Sequence, residues 1–178
     1  MSPARIEAKS RVQSQPNSAE ARFQLGKLLL ADGEAAQALI ELQRALEFKQ
    51  PESQVLPLIA EAMVLSGQAR KVVEVYADKS LDDAEAHARL QAAVAHALAA
   101  SGDMERARTV VAAALVKSPK SAPALMMKAR LQAASNDTTA GLSTIDELLA
   151  THANHYEAWA LKGELLLRTP SGINPAIE

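Results

Sequence analysis

The chain has 178 residues, with 19 Lys and Arg against 21 Asp and Glu, so its formal net charge is −2. Ala occurs 37 times and Leu 23 times, whereas aromatic residues make up 3% of the chain. Ala and Leu are strong helix formers, and a fold of many short strands would need more aromatic and β-branched residues. The composition therefore predicts an all-α protein and excludes a β-sandwich or β-barrel.

Charge and hydropathy exclude further classes of protein. The near-neutral charge lacks the basic excess that is typical of proteins that bind nucleic acid or an anionic membrane surface. Hydrophobic residues form 48% of the chain, too many for a wholly disordered protein. The longest apolar runs, such as residues 110–116, are far shorter than the roughly 20 residues that span a bilayer. The absence of cysteine excludes disulfides and thiolate metal sites.

The chain repeats itself at a period of 34 or 35 residues. Small residues within apolar helical patterns recur at spacings of 34, 35, 34 and 34: Gly26, Ala60, Ala95, Ala129 and Gly163. Turn residues keep the same step, at Gly33, Gly67, Gly102 and Asn136. The residue that ends a helix often adopts the left-handed conformation, which Gly adopts most easily and Asn next. Asn136 therefore fits the series of turn glycines. Two independent sets of positions thus indicate a repeat protein.

Each period holds two amphipathic helices separated by a Gly- or Asn-containing turn. In chain order, we predict the second helix of a truncated preceding repeat at 1–18, repeats at 19–52, 53–87, 88–121 and 122–155, and the first helix and start of a truncated repeat at 156–178. This predicts about ten helices in a single array. Because both ends fall inside a repeat, we expect the chain to be a piece of a longer array.

The pattern resembles the tetratricopeptide repeat (TPR) family. The period 19–52 resembles the family motif most closely, in the small and large residues Leu25, Gly26, Leu29, Gly33, Ala38, Leu42 and Ala45. The resemblance implies a right-handed α-solenoid. The period 53–87 departs from the motif, since Val72 replaces a small residue, Lys79 stands near an expected Ala, and one residue is inserted before His87. We therefore expect it to be the least stable part.

The sequence offers little for catalysis. His152 and His155 are three residues apart and could share a metal ion, but they fall in a turn and have no third ligand at a matching periodic position. Polar contacts between repeats are the favoured interpretation. Gly26-Lys27 has no upstream Gly, so it does not form a phosphate-binding loop. We expect no enzyme activity, no cofactor and no metal site.

The resemblance implies instead a concave surface, formed by the first helix of each repeat, that binds a peptide or a partner protein. TPR proteins that bind a C-terminal carboxylate hold it in a clamp of Lys, Asn and further basic residues. The residues of that clamp are missing from this chain, and Glu61 would repel a carboxylate. The candidate contact residues are Phe23, Lys27, Leu30, Glu61, Val64, Arg89, His96, Met126, Arg130, Glu164 and Arg168.

Within the family, the segments 19–29 and 102–107 resemble long TPR lipoproteins of the PEP-CTERM/exosortase system. That resemblance implies a periplasmic or outer-membrane location, and our leading hypothesis is a non-catalytic scaffold linked to exopolysaccharide production and protein sorting. The alternative is a TPR segment of a polysaccharide synthase or export apparatus that contacts an enzyme or the glycan. Glycan binding would favour stacked aromatic side chains, whereas Phe23 is one clear candidate and Trp159 is expected to pack between repeats. We expect a monomer, or a dimer formed through repeat ends exposed by truncation.

Overall fold

A computed structural model of the chain describes residues 2–168, and these residues form ten helices and no strand. The all-α prediction and the expected number of helices are confirmed. The helices are α1 (Pro3–Ser14), α2 (Ala19–Ala31), α3 (Ala35–Glu47), α4 (Glu52–Leu65), α5 (Ala69–Tyr76), α6 (Ala84–Ala100), α7 (Met104–Lys117), α8 (Ala122–Ala134), α9 (Thr138–Thr151) and α10 (Tyr156–Leu167). The expectation for 169–178 lies outside the described residues.

Side chains at the helix starts and backbone turns at the helix ends fix these elements. The Asp103 and Asp137 carboxylates accept hydrogen bonds from backbone N–H groups in the first turns of α7 and α9, which satisfies donors that lack a partner within the helix. Asn136 has a φ of 61°, in the left-handed region. Its prediction as the counterpart of the turn glycines is therefore confirmed. Lys49, after α3, also has a positive φ of 74°, which the sequence did not indicate.

The helices pack as an array of antiparallel pairs. Each of α2, α4, α6 and α8 packs on the helix that follows it, and α10 packs on α9. Contacts also run directly from α2 to α4, from α4 to α6 and from α6 to α8. We call α2, α4, α6, α8 and α10 the inner helices, and the other five the outer helices. The array therefore presents the inner helices side by side on one surface.

Small residues let paired helices approach closely. Ala38 of α3 and Ala107 of α7 have no exposed surface, and Gly141 of α9 is buried at the equivalent position. In α5 the equivalent residue is Val72, which is likewise fully buried. The outer helices therefore approach the inner ones at residues with no side-chain carbon, as in Gly141, or with one to three of them.

The second pair departs from the others in its outer helix. Helix α5 has eight residues, and Val72 is its one buried residue, whereas α7 has 14 residues and buries three. The chain then runs without helix to Asp83, held by side chains of α6. Gln91 Nε2 donates to the carbonyl oxygen of Lys79 at 3.2 Å, and the backbone N–H of Leu81 donates to His87 Nδ1 at 3.4 Å.

Helix α10 exposes the side that other inner helices bury against their partners. Trp159 is 52% exposed, although the sequence predicts that it packs between repeats. Its indole N–H donates to the Ala153 carbonyl oxygen at 2.8 Å. The physical reason is that, within residues 2–168, no outer helix follows α10 to cover this side. None of the ten described helices combines the length and the apolar character that a bilayer span requires.

Candidate functional site

A line of ionisable side chains crosses the inner helices. Each member is one repeat from the next, at spacings of 34, 35, 34 and 34 residues, so that each occupies the same position in its own helix. We call this set the charge line, and it consists of Lys27, Glu61, His96, Arg130 and Glu164.

A concave pocket of about 450 Å³ opens at the middle of the inner surface, and we call it the central pocket. Side chains of α4, α6 and α8, together with the start of α10 and the turn before it, form its walls. The lining residues are Glu61, Arg89, Ala92, Ala93, His96, Pro123, Met126, Met127, Arg130, Asn154, His155, Tyr156 and Glu157. The three middle members of the charge line therefore meet in one cavity.

The floor of the central pocket is apolar and well packed. Ala92, Ala93, Met126 and Met127 are buried, with exposed fractions of 5–8%. Met127 belongs to the main hydrophobic core, and Met126 belongs to a second core cluster formed with α9 and α10. The floor is thus held by the packing of the array, which fixes its shape before any ligand arrives.

The charged groups of the pocket differ in whether they are paired. Arg130 Nη2 lies 3.2 Å from Glu157 Oε2, an ion pair that ties α8 to α10. Among the described residues, neither the Glu61 carboxylate nor the Arg89 guanidinium has a hydrogen bond or an ion pair. The pocket therefore offers one unpaired anion and one unpaired cation.

The surroundings push two neighbouring groups toward their neutral forms. Desolvation raises the pKa of Glu61, although it is exposed at the surface of the concavity, and the positive charge of Arg89 opposes this shift. Burial lowers the pKa of His96, and the nearby charge of Arg130 lowers it further. His96 is therefore uncharged at neutral pH, while an ionised Glu61 is held at a cost in solvation.

The structure brings five of the eleven predicted contact residues together in the central pocket: Glu61, Arg89, His96, Met126 and Arg130. The other six lie outside it. The Lys27 ammonium lies 5.4 Å from the ring centroid of Phe23, which is itself buried. Val64 is buried, Leu30 is half-buried, and Glu164 pairs with Arg168 at 2.5 Å on the surface of α10.

Sequence reasoning missed Glu157 and Tyr156, which close the pocket from the start of α10. A signal for Glu157 was present, since Glu157 is one repeat after Pro123 and two repeats after Arg89. The same counting does not find Asn154, because it lies in the turn before α10, where repeat position says little about side-chain direction.

The two histidines considered as metal ligands have other roles. His155 Nδ1 accepts a hydrogen bond from the backbone N–H of Ala158 at 3.3 Å and so caps α10. His152 Nδ1 lies 2.9 Å from Thr151 Oγ1. Within residues 2–168 there is no group of three or more His, Cys, Asp or Glu side chains that could hold a metal ion.

Solved structures share this fold. A thermophilic TPR protein of Thermus thermophilus aligns with a TM-score of 0.67 at 18% identity, over 85% of this chain and 82% of its own. A tetratricopeptide repeat protein from Parabacteroides merdae aligns with a TM-score of 0.57 at 16% identity, over 92% of this chain and 65% of its own. PilF of Pseudomonas aeruginosa also aligns with a TM-score of 0.57, at 13% identity, over 92% of this chain and 80% of its own. At these identities the likeness shows the fold alone.

Sequence comparison agrees with the structural one. No curated protein sequence matches this chain. Two family models, each described as a tetratricopeptide repeat, match residues 5–53 and 98–165. The matched segments lie on either side of the second helix pair, the one whose outer helix is short. The chain belongs to the tetratricopeptide repeat proteins.

Proposed function

We propose that this chain is a non-catalytic scaffold that binds a peptide segment of a partner protein along the inner helices, with the central pocket as the main contact. The observation that carries the proposal is the pair of unpaired charges, Glu61 and Arg89, above an apolar floor. Interfaces of this kind combine a desolvated apolar centre with a few polar groups that fix orientation.

The dimensions of the inner surface support a peptide-like ligand. The cavity of about 450 Å³ has room for a few side chains, and the charge line continues on both sides of it, to Lys27 and to Glu164. A ligand that follows this line would meet charges of both signs. Such a surface suits a segment of mixed charge better than a uniformly acidic or basic one.

We extend the proposal to the bacterial envelope, as a TPR segment linked to exopolysaccharide production and PEP-CTERM protein sorting. The support for this extension is the sequence resemblance carried by residues 19–29 and 102–107. Capture of an envelope protein by the chain would support this extension.

The test is a pull-down from a bacterial envelope extract with three forms of the chain. The first is the wild type, and the second carries Arg89→Glu and Arg130→Glu in the pocket. The third carries Arg106→Glu and Arg108→Glu on outer helix α7, which makes the same change in net charge away from the pocket. Circular dichroism checks that all three are folded.

We expect the wild type and the α7 variant to capture the same protein and the pocket variant to lose it. Equal capture by all three forms would place the interface away from the inner helices. If both variants fail to capture the protein, the effect comes from net charge rather than from the pocket. Either result contradicts the proposal.

A further inference from the structure

We propose that the central pocket binds a basic side chain, lysine or arginine, of the partner segment, with its charged head at Glu61 and its methylene stem over Ala92, Ala93 and Met126. This inference rests on the proposed function and adds the chemical class of the residue that is recognised.

Glu61 and Arg89, the two pocket charges without an ion pair, differ in their surroundings. Glu61 lines the central pocket, where desolvation raises its pKa, and its carboxylate has no hydrogen bond or ion pair among the described residues. Arg89 lines the same pocket, and its side chain is exposed to solvent. An arriving cation therefore gains more at Glu61 than an arriving anion gains at Arg89.

The lining of the central pocket next to Glu61 suits an aliphatic stem. Ala92, Ala93 and Met126 form a buried apolar floor next to Glu61. Lysine and arginine carry three or four methylene groups between backbone and charge, and they bury this stem on apolar surface while the charged head stays at a polar group. At the mouth of the pocket, Tyr156 is 76% exposed, so its ring is available to a cation.

The other ionisable groups that face the pocket add one opposing charge. From α8, Arg130 is neutralised by Glu157 of α10, and from α6, His96 is held neutral by burial. Among the described residues that line the pocket, this leaves Arg89 of α6 as the arginine without an ion pair, and its charge opposes a basic ligand. Arg89 and Glu61 therefore act with opposite signs on the affinity for the same side chain.

The experiment uses arrays of nonapeptides that are acetylated and amidated, so that their ends carry no charge. The central residue is lysine in one array, norleucine in the second and glutamate in the third. Each peptide in an array has one defined sequence, with flanking residues drawn at random from alanine, leucine, serine and glutamine. The full chain is applied to all three arrays. The strongest lysine peptide is then measured in solution by fluorescence anisotropy, beside its norleucine and glutamate analogues.

We expect the lysine peptide to bind about ten-fold more tightly than its norleucine analogue, and the glutamate analogue to bind least tightly. Glu61→Gln, which keeps the shape of the side chain, should reduce lysine-peptide affinity to the norleucine level. Arg89→Gln should increase lysine-peptide affinity by two-fold or more, on the order of a weak surface charge contact. Glu147→Gln, on outer helix α9, should leave all three affinities unchanged.

The outcomes separate the inference from the proposed function. Peptide binding that is indifferent to the central residue, or unaffected by Glu61→Gln, overturns the basic-residue inference and leaves a peptide-binding pocket. A preference for the glutamate array, lost in the Arg89→Gln variant, also overturns it. Failure of all three arrays to bind the chain overturns both proposals.

Discussion

Gly26 of α2 lies directly against Leu42 of α3. A Cβ atom added to Gly26 would come 2.7 Å from Leu42 Cγ, 2.9 Å from Leu42 Cδ2 and 3.3 Å from the Leu42 backbone nitrogen. Contacts below 3.0 Å require the Leu42 side chain or its helix to shift, and Leu42 is fully buried. The glycine is therefore what allows the first complete helix pair to pack at its observed separation.

We predict that Gly26→Ala lowers the free energy of unfolding by about 1–2 kcal/mol, because overpacking against Leu42 outweighs the better helix propensity of alanine. Gly163 is the matched control. It occupies the equivalent position in α10, and a Cβ there would meet no described atom within 4 Å. Gly163→Ala should be neutral or stabilising by up to about 1 kcal/mol. Urea unfolding followed by circular dichroism measures both, and equal effects would refute the argument from packing.

A second prediction concerns Arg22, whose side chain is buried between α2 and α3. Its Nε donates to the Pro16 carbonyl oxygen at 2.7 Å, and its Nη1 lies 2.7 Å from Glu41 Oε2. Arg22→Ala leaves the Glu41 carboxylate without this partner in a site with little water, which should cost about 3 kcal/mol. Arg106→Ala removes an exposed ion pair with Asp103 and should cost less than about 0.5 kcal/mol. Urea unfolding measures both variants. If Arg22→Ala and Arg106→Ala lower the free energy of unfolding by the same amount, burial of the Arg22–Glu41 pair has no energetic consequence.

The third prediction is a dependence of stability on pH at Glu61. The pKa of Glu61 is raised in the folded state, so its protonated form favours folding and this contribution disappears as pH rises through the folded-state pKa. Glu61→Gln should therefore melt about 1–2 °C above the wild type at pH 8 and at the same temperature near pH 4. Thermal melts at both pH values measure the difference. Glu147→Gln, which changes an exposed carboxylate on outer helix α9, is the control that should show no such change.

The fourth prediction is that the second helix pair opens most easily. Helix α5 buries one residue against three in α7, and the segment that follows α5 has no helix, so residues 71–83 have fewer fully buried side chains than α7. Amide hydrogens there should exchange about ten-fold or more faster than those of residues 107–115 in α7. Hydrogen exchange followed by mass spectrometry resolves the two segments. Equal protection would contradict the prediction.

The sequence was informative wherever the repeat constrains a residue. The turn series places Asn136 in the left-handed region because only Gly and Asn adopt it readily, and the structure agrees. The direction and burial of inner-helix side chains were harder to predict. Val64 and Phe23 occupy positions that face the ligand in the family, yet both are buried here. Their burial depends on how neighbouring helices pack, which a single repeat does not encode.

Pairing between distant residues was also beyond the sequence. The Arg130–Glu157 ion pair depends on the distance between α8 and α10, and that pair decides which charges of the pocket remain unpaired. Counting in steps of one repeat places Arg130 on the charge line, and it places Glu157 at the same repeat position as Arg89, two repeats later. It does not show that the two side chains meet.

The charge line lies apart from the packed core of the array. Lys27, Glu61, Arg130 and Glu164 are exposed and His96 is half-buried, so none of the five side chains belongs to the buried core. Each can be exchanged without disturbing the alanine and leucine contacts that join the helices. Duplication of a 34-residue unit would add one more member to the line at an unchanged spacing. Under the proposed function, ligand preference in such an array can therefore evolve one repeat at a time, while the architecture is inherited intact.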